Sequence, residues 1–222
     1  MGQNNSNPLP PSTAETRANY DRLSRWYDLL SGIEEKKYKD AGLAMLRAKP
    51  GEYVLEIGFG TGQCLIPLAE AVGENGRVDG IDLSDGMRQV AQKKIGKTAF
   101  QERIHLLSGD ARELPYAENS FDAVYISFTL ELFKEAEIPM VLQQIHHGLK
   151  PDGRLCVVAM GKREHTNLIM RLYSWAHTRY PHAVDCRLIS TAPLLADNGF
   201  VVVTVRQMSL FGLPVDVVLA TG

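Results

Sequence analysis

From residue 53 onward, short apolar runs alternate with helical stretches, and this alternation restricts the fold more than any other feature of the chain. The runs are YVLEI (53–57), RVDGID (77–82), IHLLS (104–108), FDAVYIS (121–127) and GRLCVVAM (153–160), with two more at 201–207 and 213–219. Helices are expected over 62–72, 84–95 and 135–149, with a short link at 110–120. Strands separated by helices pair in parallel, because a parallel connection needs a crossover long enough to pack back onto the sheet. Right-handed crossovers leave few topologies open. The pattern predicts an α/β fold: a mostly parallel sheet of seven strands with helices on both faces. The last two strands are joined only by the turn Leu210–Gly212, so an antiparallel hairpin is expected at the sheet edge.

The rest of the chain frames that core. MGQNNSNPLPPST (1–13) is polar, proline-rich and without period, and reads as a flexible tail. Residues 14–222 read as a single domain. Within it, 14–48 is expected to be a helical lid. There Tyr20, Leu23, Trp26, Tyr27 and Leu30 recur at steps of three and four, and a second helix at 35–48 stops before Pro50-Gly51. Residues 50–160 form the core, 161–190 an insertion with a helix near 164–179, and 191–222 the final helix (190–198) and strands. With 45% hydrophobic and 23% charged residues the chain can bury a full core. A net charge of -2 gives no reason to expect nucleic acid as a partner. Cys64, Cys156 and Cys186 are widely spaced, so neither a disulfide framework nor a zinc site is expected, and a reducing cytoplasm fits. No run reaches the length of a spanning helix and no secretory signal is read, which leaves transient contact with a membrane as the most that is expected there.

The stretch EIGFGTG (56–62) follows the first strand and carries three glycines beside a carboxylate. Glycines at a strand-to-helix turn let a ligand approach the backbone and its free N–H groups. The dinucleotide pattern would need its third glycine at position 63, which is Gln63, and no Lys-Ser or Lys-Thr closes a phosphate loop. Glu56 would repel a pyrophosphate and attract an ammonium group. S-adenosylmethionine carries an ammonium and no phosphate. Its ribose calls for an acid at the end of the second strand, and Asp82 stands there, followed by Ser84 as a helix cap.

Four segments together, E-x-G-x-G-x-G at 56–62, GIDLS at 80–84, GDARELPYAENSFDAV at 109–124 and LKPDGRL at 149–155, resemble the motif series of class I S-adenosylmethionine-dependent methyltransferases. YDRLSRWYDLLS and LPYAENSFDAV are similar to the ubiquinone/menaquinone-biosynthesis C-methyltransferase (UbiE-like) group, although that group usually has Gly-Gly-Thr-Gly where this chain has Gly58-Phe59-Gly60-Thr61-Gly62. The resemblance implies a Rossmann-like fold and S-adenosylmethionine as cofactor. It implies Glu56 for the methionine ammonium, with the Gly58, Gly60, Thr61 and Gly62 turn allowing close approach. Asp82 would take the ribose hydroxyls, Leu83 and Met87 would flank the adenine, and Asp110 and the Ala111 N–H would meet its edge. Ser127 would present its carbonyl to the ammonium, and Tyr20 and Tyr27 belong to the lid.

Other residues read as structural: Asp122 as a strand-start acid, His105, His146 and His147 as sheet or surface histidines, and Cys64 as packing below the loop. The insertion gathers His165, Tyr173, His177, Tyr180, His182, Asp185, Cys186 and Arg187, which makes it the expected cover of the acceptor; no metal site is expected. Methylating a phenol or quinol ring carbon needs a base near neutral pH, and His177 or His165 is the candidate, with Asp185 to orient it. The expected acceptor is a small molecule or lipid-like compound. N- or O-methylation of a small molecule or lipid headgroup is the alternative, and a cofactor-binding scaffold without turnover is a third reading.

Overall fold

A computed structural model describes residues 32–163, 168–179 and 186–222. Tyr20, Tyr27, His165, Tyr180, His182 and Asp185, together with the tail and the first lid helix, lie outside the described residues.

The described chain runs α1 (Gly32–Leu46), β1 (Tyr53–Ile57), α2 (Leu65–Val72), β2 (Arg77–Asp82), α3 (Asp85–Ile95), β3 (Ile104–Ser108), β4 (Phe121–Ser127), α4 (Ile138–Gly148), β5 (Leu149–Met160), α5 (Leu168–Arg179), α6 (Thr191–Asp197), β6 (Val201–Leu210) and β7 (Leu213–Thr221). The seven strands form one sheet in the order β3-β2-β1-β4-β5-β7-β6. β1 pairs in parallel with both β2 and β4, and the strand order reverses around it. β7 runs antiparallel to β5 and β6 to β7, so the expected hairpin closes the sheet at one edge. This is the α/β sheet the alternation predicts, in the Rossmann-like form the resemblance implies.

Both faces of the sheet are covered, and the strands show it by alternation. Val54, Val78, Ala123, Tyr125, Cys156, Val158, Val215 and Val217 face a core shared with Tyr38 of α1, Leu65, Leu68 and Val72 of α2, and Ala91 and Ile95 of α3. Their neighbours Leu55, Ile81, Val124, Ile126, Leu155, Val157, Val218 and Ala220 face Val141, Leu142 and Ile145 of α4 and Leu195 of α6. Burial on both faces is why the inner strands read as near-continuous apolar runs.

Several boundaries differ from the sequence reading for local reasons. α2 begins at Leu65 rather than 62 because Gly62 has φ +78, which an α-helix cannot use. β5 begins at Leu149, not 153: Phe121 pairs with Leu149, then the register shifts so that Ala123 meets Arg154 and Lys150–Gly153 bulge out. Asp122 is structural, accepting from the Tyr53 N–H (2.8 Å) and Lys150 Nζ (2.7 Å). His146 lies edge-on to Phe200, and His105 and His147 are exposed. Gly161 and Ile189 form a parallel bridge, with the Ile189 N–H donating to the Met160 carbonyl (2.9 Å) and the Lys162 N–H to that of Ile189 (2.9 Å). The insertion is therefore pinned shut at its base.

Candidate active site

A cavity opens at the carboxyl ends of β1, β2, β3 and β4, where strand order reverses and loops diverge. Glu56, Gly58, Gly60, Thr61, Asp82, Leu83, Met87, Asp110, Ala111 and Ser127 all line it. The loop after β1 is shaped by its glycines. Gly58 has φ +72, and a Cβ there would collide with the Thr129 side chain, so only glycine fits on both counts. Its N–H donates to the Ile81 carbonyl (2.8 Å), which ties the loop to β2. Gly60 has φ +53, and a Cβ there would meet nothing within 4 Å among the described residues. Gly62 does not line the cavity. It packs below the turn, where a Cβ would press on Ala91 at 3.1 Å, and its N–H closes the turn onto the Phe59 carbonyl (2.8 Å).

Asp82 is fixed from below. One carboxylate oxygen accepts from the Gly60 N–H (2.8 Å) and the other from the Ser84 N–H (2.9 Å). Ser84 caps α3 as expected, accepting from the Met87 N–H (3.0 Å), and Met87 is thereby seated as a buried wall.

Glu56 is the least ordinary group. It is 1% exposed, and its Oε2 has no hydrogen-bond partner among the described residues. Burial pushes its carboxyl up to about 8; nearby Lys39 partly offsets this, and Asp82 adds to it. Lys39 reaches the cavity from α1, where it pairs with Glu35 (2.8 Å) and donates to Gln63 Oε1 (3.2 Å). Cys64 is buried below, with its thiol pushed up by burial and by Glu56, so it is packing and not a nucleophile.

Asp110 differs from its expected role in one respect: its carboxylate is already engaged. Arg112 donates to it from its backbone N–H (2.9 Å) and guanidinium (2.5 Å) and reaches on to Glu137 (2.6 Å). Burial pushes Asp110 up, but the hydrogen bonds and charge of Arg112 outweigh it and hold the carboxyl below its usual range. The loop after β4 completes the wall with Phe128, Thr129, Leu132 and Phe133; Thr129 Oγ1 donates to the Ser127 carbonyl (3.0 Å). Lys39 and Glu137 stand in no motif of the sequence, and Gln63 and Arg112, although beside or inside quoted motifs, carry no local sign that they reach the cavity.

His177 lies in α5, but its side chain is outside the described residues, as is all of His165. Among the described residues, no group of three or more His, Cys, Asp or Glu could hold a metal ion, and no helix is long and apolar enough to cross a membrane.

The donor set suits S-adenosylmethionine. A buried acceptor without a partner awaits a cation, an anchored acid faces the cavity where two hydroxyls would lie, and the glycine turn leaves open space. Comparisons with known proteins agree. The family described as a methyltransferase domain matches residues 54–153. A demethylmenaquinone methyltransferase of Lactobacillus johnsonii is 35% identical over 157 residues, covering 69% of this chain. The match spans 63% of that protein's length, just under two thirds. Among solved structures, magnesium protoporphyrin IX methyltransferase from Synechocystis with bound S-adenosylhomocysteine aligns with a TM-score of 0.76 at 20% identity, covering 95% of this chain and 99% of that one. The cyclase SpnF aligns with a TM-score of 0.77 at 17% identity, covering 96% and 97%. At such identities these two likenesses speak to the fold alone.

Proposed function

We propose that this chain, whose residues 54–153 match the methyltransferase-domain family, moves a methyl group from S-adenosylmethionine to a small, partly apolar acceptor. The finer reading is a quinol ring carbon as the methylated atom. Its support is the resemblance of LPYAENSFDAV and the names of relatives that specify demethylmenaquinone. The observation that carries the cofactor assignment is Glu56, a buried carboxylate oxygen without a partner in the cavity wall. An ammonium there would pair with it and restore its charge; a phosphate would not.

When bound, the cofactor supplies a sulfonium-activated methyl carbon open to in-line displacement. The chain's own part is positioning and exclusion of water. In this reading Glu56 and the Ser127 carbonyl hold the amino-acid end, Asp82 holds the ribose, and Leu83, Met87 and Ala111 wall the adenine. A ring carbon becomes nucleophilic only after its hydroxyl loses a proton. The base is assigned to the 161–190 insertion, to His177 or His165, with Asp185 as orienter. The reaction is assigned to the cytoplasm.

The test is transfer of a labelled methyl group to extracted quinols and to demethylmenaquinol. Label in the quinol fraction is the expected result, and cofactor binding without turnover would overturn the catalytic reading. Asp82→Ala should abolish calorimetric binding of S-adenosylhomocysteine while the circular dichroism of the fold persists. His177→Ala should cut turnover ~10²–10⁴-fold if it is the base, and an unchanged rate removes it from the mechanism.

A further inference from the structure

The end of the sheet that holds the cavity also carries an apolar surface that methyl transfer leaves unused. β7 runs antiparallel to β5, with Met160 opposite Val215, so the turn before β7 and the start of α5 share the carboxyl end of the parallel strands. On α5, Ile169, Leu172 and Trp175 recur every three residues and are exposed, Leu172 by 62% and Trp175 by 59%. The opposite side of the helix faces in: Met170 is buried, and the Tyr173 hydroxyl donates to the Cys186 carbonyl (2.9 Å). The charged residues of α5 are Arg171 and Arg179, both exposed, and its sequence LIMRLYSWAHTR contains no acid.

The hairpin turn continues this stripe. A Cβ on Gly212 would meet Ile169 Cδ1 at 2.6 Å, so helix and turn are in contact. Beside it Phe211 is 72% exposed with φ +50. A two-residue hairpin turn ordinarily takes Asn-Gly at these positions. This chain instead holds a bulky aromatic residue in the left-handed region, with its ring in water.

We propose that this face docks on the surface of an anionic lipid bilayer, with Phe211, Leu172 and Trp175 entering the headgroup boundary and Arg171 and Arg179 meeting lipid phosphates. Aromatic and aliphatic residues on one helix stripe, flanked by arginines and free of acids, are the composition of an interfacial helix. Tryptophan favours the headgroup level, and an anionic leaflet attracts the arginines. A two-fold interface with a second copy would gather the arginines of both chains on one face, where like charges repel. The quinol reading bears on this only as its use: a lipid-soluble acceptor would reach the cavity from the bilayer beneath.

Co-sedimentation of the full chain with phosphatidylglycerol-rich vesicles, without cofactor or quinol, tests it. Binding is expected at low salt, weakening as salt rises and at least ~10-fold weaker on phosphatidylcholine alone. Leu172→Glu should lower the partition ~10-fold or more with the melting temperature unchanged. Phe211→Asn should lower the partition while raising the melting temperature, a pairing that a purely structural residue would not give. No sedimentation with anionic vesicles at low salt overturns the proposal. So does binding that none of these substitutions alters, or a change of oligomeric state without vesicle binding. Methyl transfer to a short-chain, water-soluble quinol is read separately, so failure of the surface and failure of the activity are distinguishable.

Discussion

At the scale of single residues, Glu56 carries the sharpest consequence. Burial raises its carboxyl to about 8 from an ordinary 4.5. The folded state therefore holds a proton that the unfolded chain gives up above 4.5. Stability is at its fullest below pH 4.5 for this group and is lost as pH rises to about 8, with an upper bound of about 5 kcal/mol. Thermal melts of the ligand-free protein should fall across that window, and Glu56→Gln should flatten the fall while removing cofactor affinity. An ammonium ligand reverses the shift, so binding S-adenosylhomocysteine at neutral pH should release about one proton. Calorimetry in two buffers of different ionisation enthalpy reads that proton, and equal heats in both would sink the assignment of Glu56. Glu56 and Asp82 were legible in the sequence because each follows a short apolar run at a fixed offset. Lys39 was not: it arrives from α1, and its i,i+4 pair with Glu35 looks like any surface helix pair. Arg112 was equally silent, since an arginine two residues after Asp110 gives no sign that it will engage that carboxylate.

At the scale of elements, the strands were legible and their seams were not. A strand covered on both faces reads as an unbroken apolar run, and β1 to β4 have the expected bounds. The start of β5 was hidden because Lys-Pro-Asp-Gly looks like a turn, and it is one, set inside the strand as a bulge. What joins α1 to the sheet was also hidden. Arg154 donates to the Leu46 carbonyl (2.6 Å), the Arg47 carbonyl (2.8 Å) and both oxygens of Glu52 (3.0 and 2.7 Å), binding the end of α1 to β5. Such a hub depends on long-range packing and has no local pattern. Arg154→Ala leaves the half-buried Glu52 carboxylate without its cation and should cost about 2–4 kcal/mol. Urea unfolding should show a lower midpoint with an unchanged slope; a loss below about 0.5 kcal/mol would mean that α1 is held by its apolar face alone.

At the scale of the whole molecule, chemistry and support lie at opposite ends of one sheet. The carboxyl ends of the parallel strands hold Glu56, Asp82, Asp110 and Ser127 around the cavity. Near the other ends, Asp122, Lys150, Arg154 and Glu52 are paired among themselves. A ligand in the cavity touches loops from four strands that are far apart in sequence, so its binding energy goes into the cooperative unit rather than one loop. At a hundredfold excess over its dissociation constant, S-adenosylhomocysteine should add about 2.7 kcal/mol to unfolding, or roughly 5–10 °C in melting temperature for a chain of this size. The gain should grow toward alkaline pH, where the ligand-free protein has to bury the Glu56 charge unpaired. NADH offers the same adenosine but brings a pyrophosphate to the Gly58–Gly62 turn beside that carboxylate, and it should leave the melt where it was. A shift with NADH as large as that with S-adenosylhomocysteine would mean that the adenosine half is recognised and the carboxylate is not, and the choice of cofactor would fall with it.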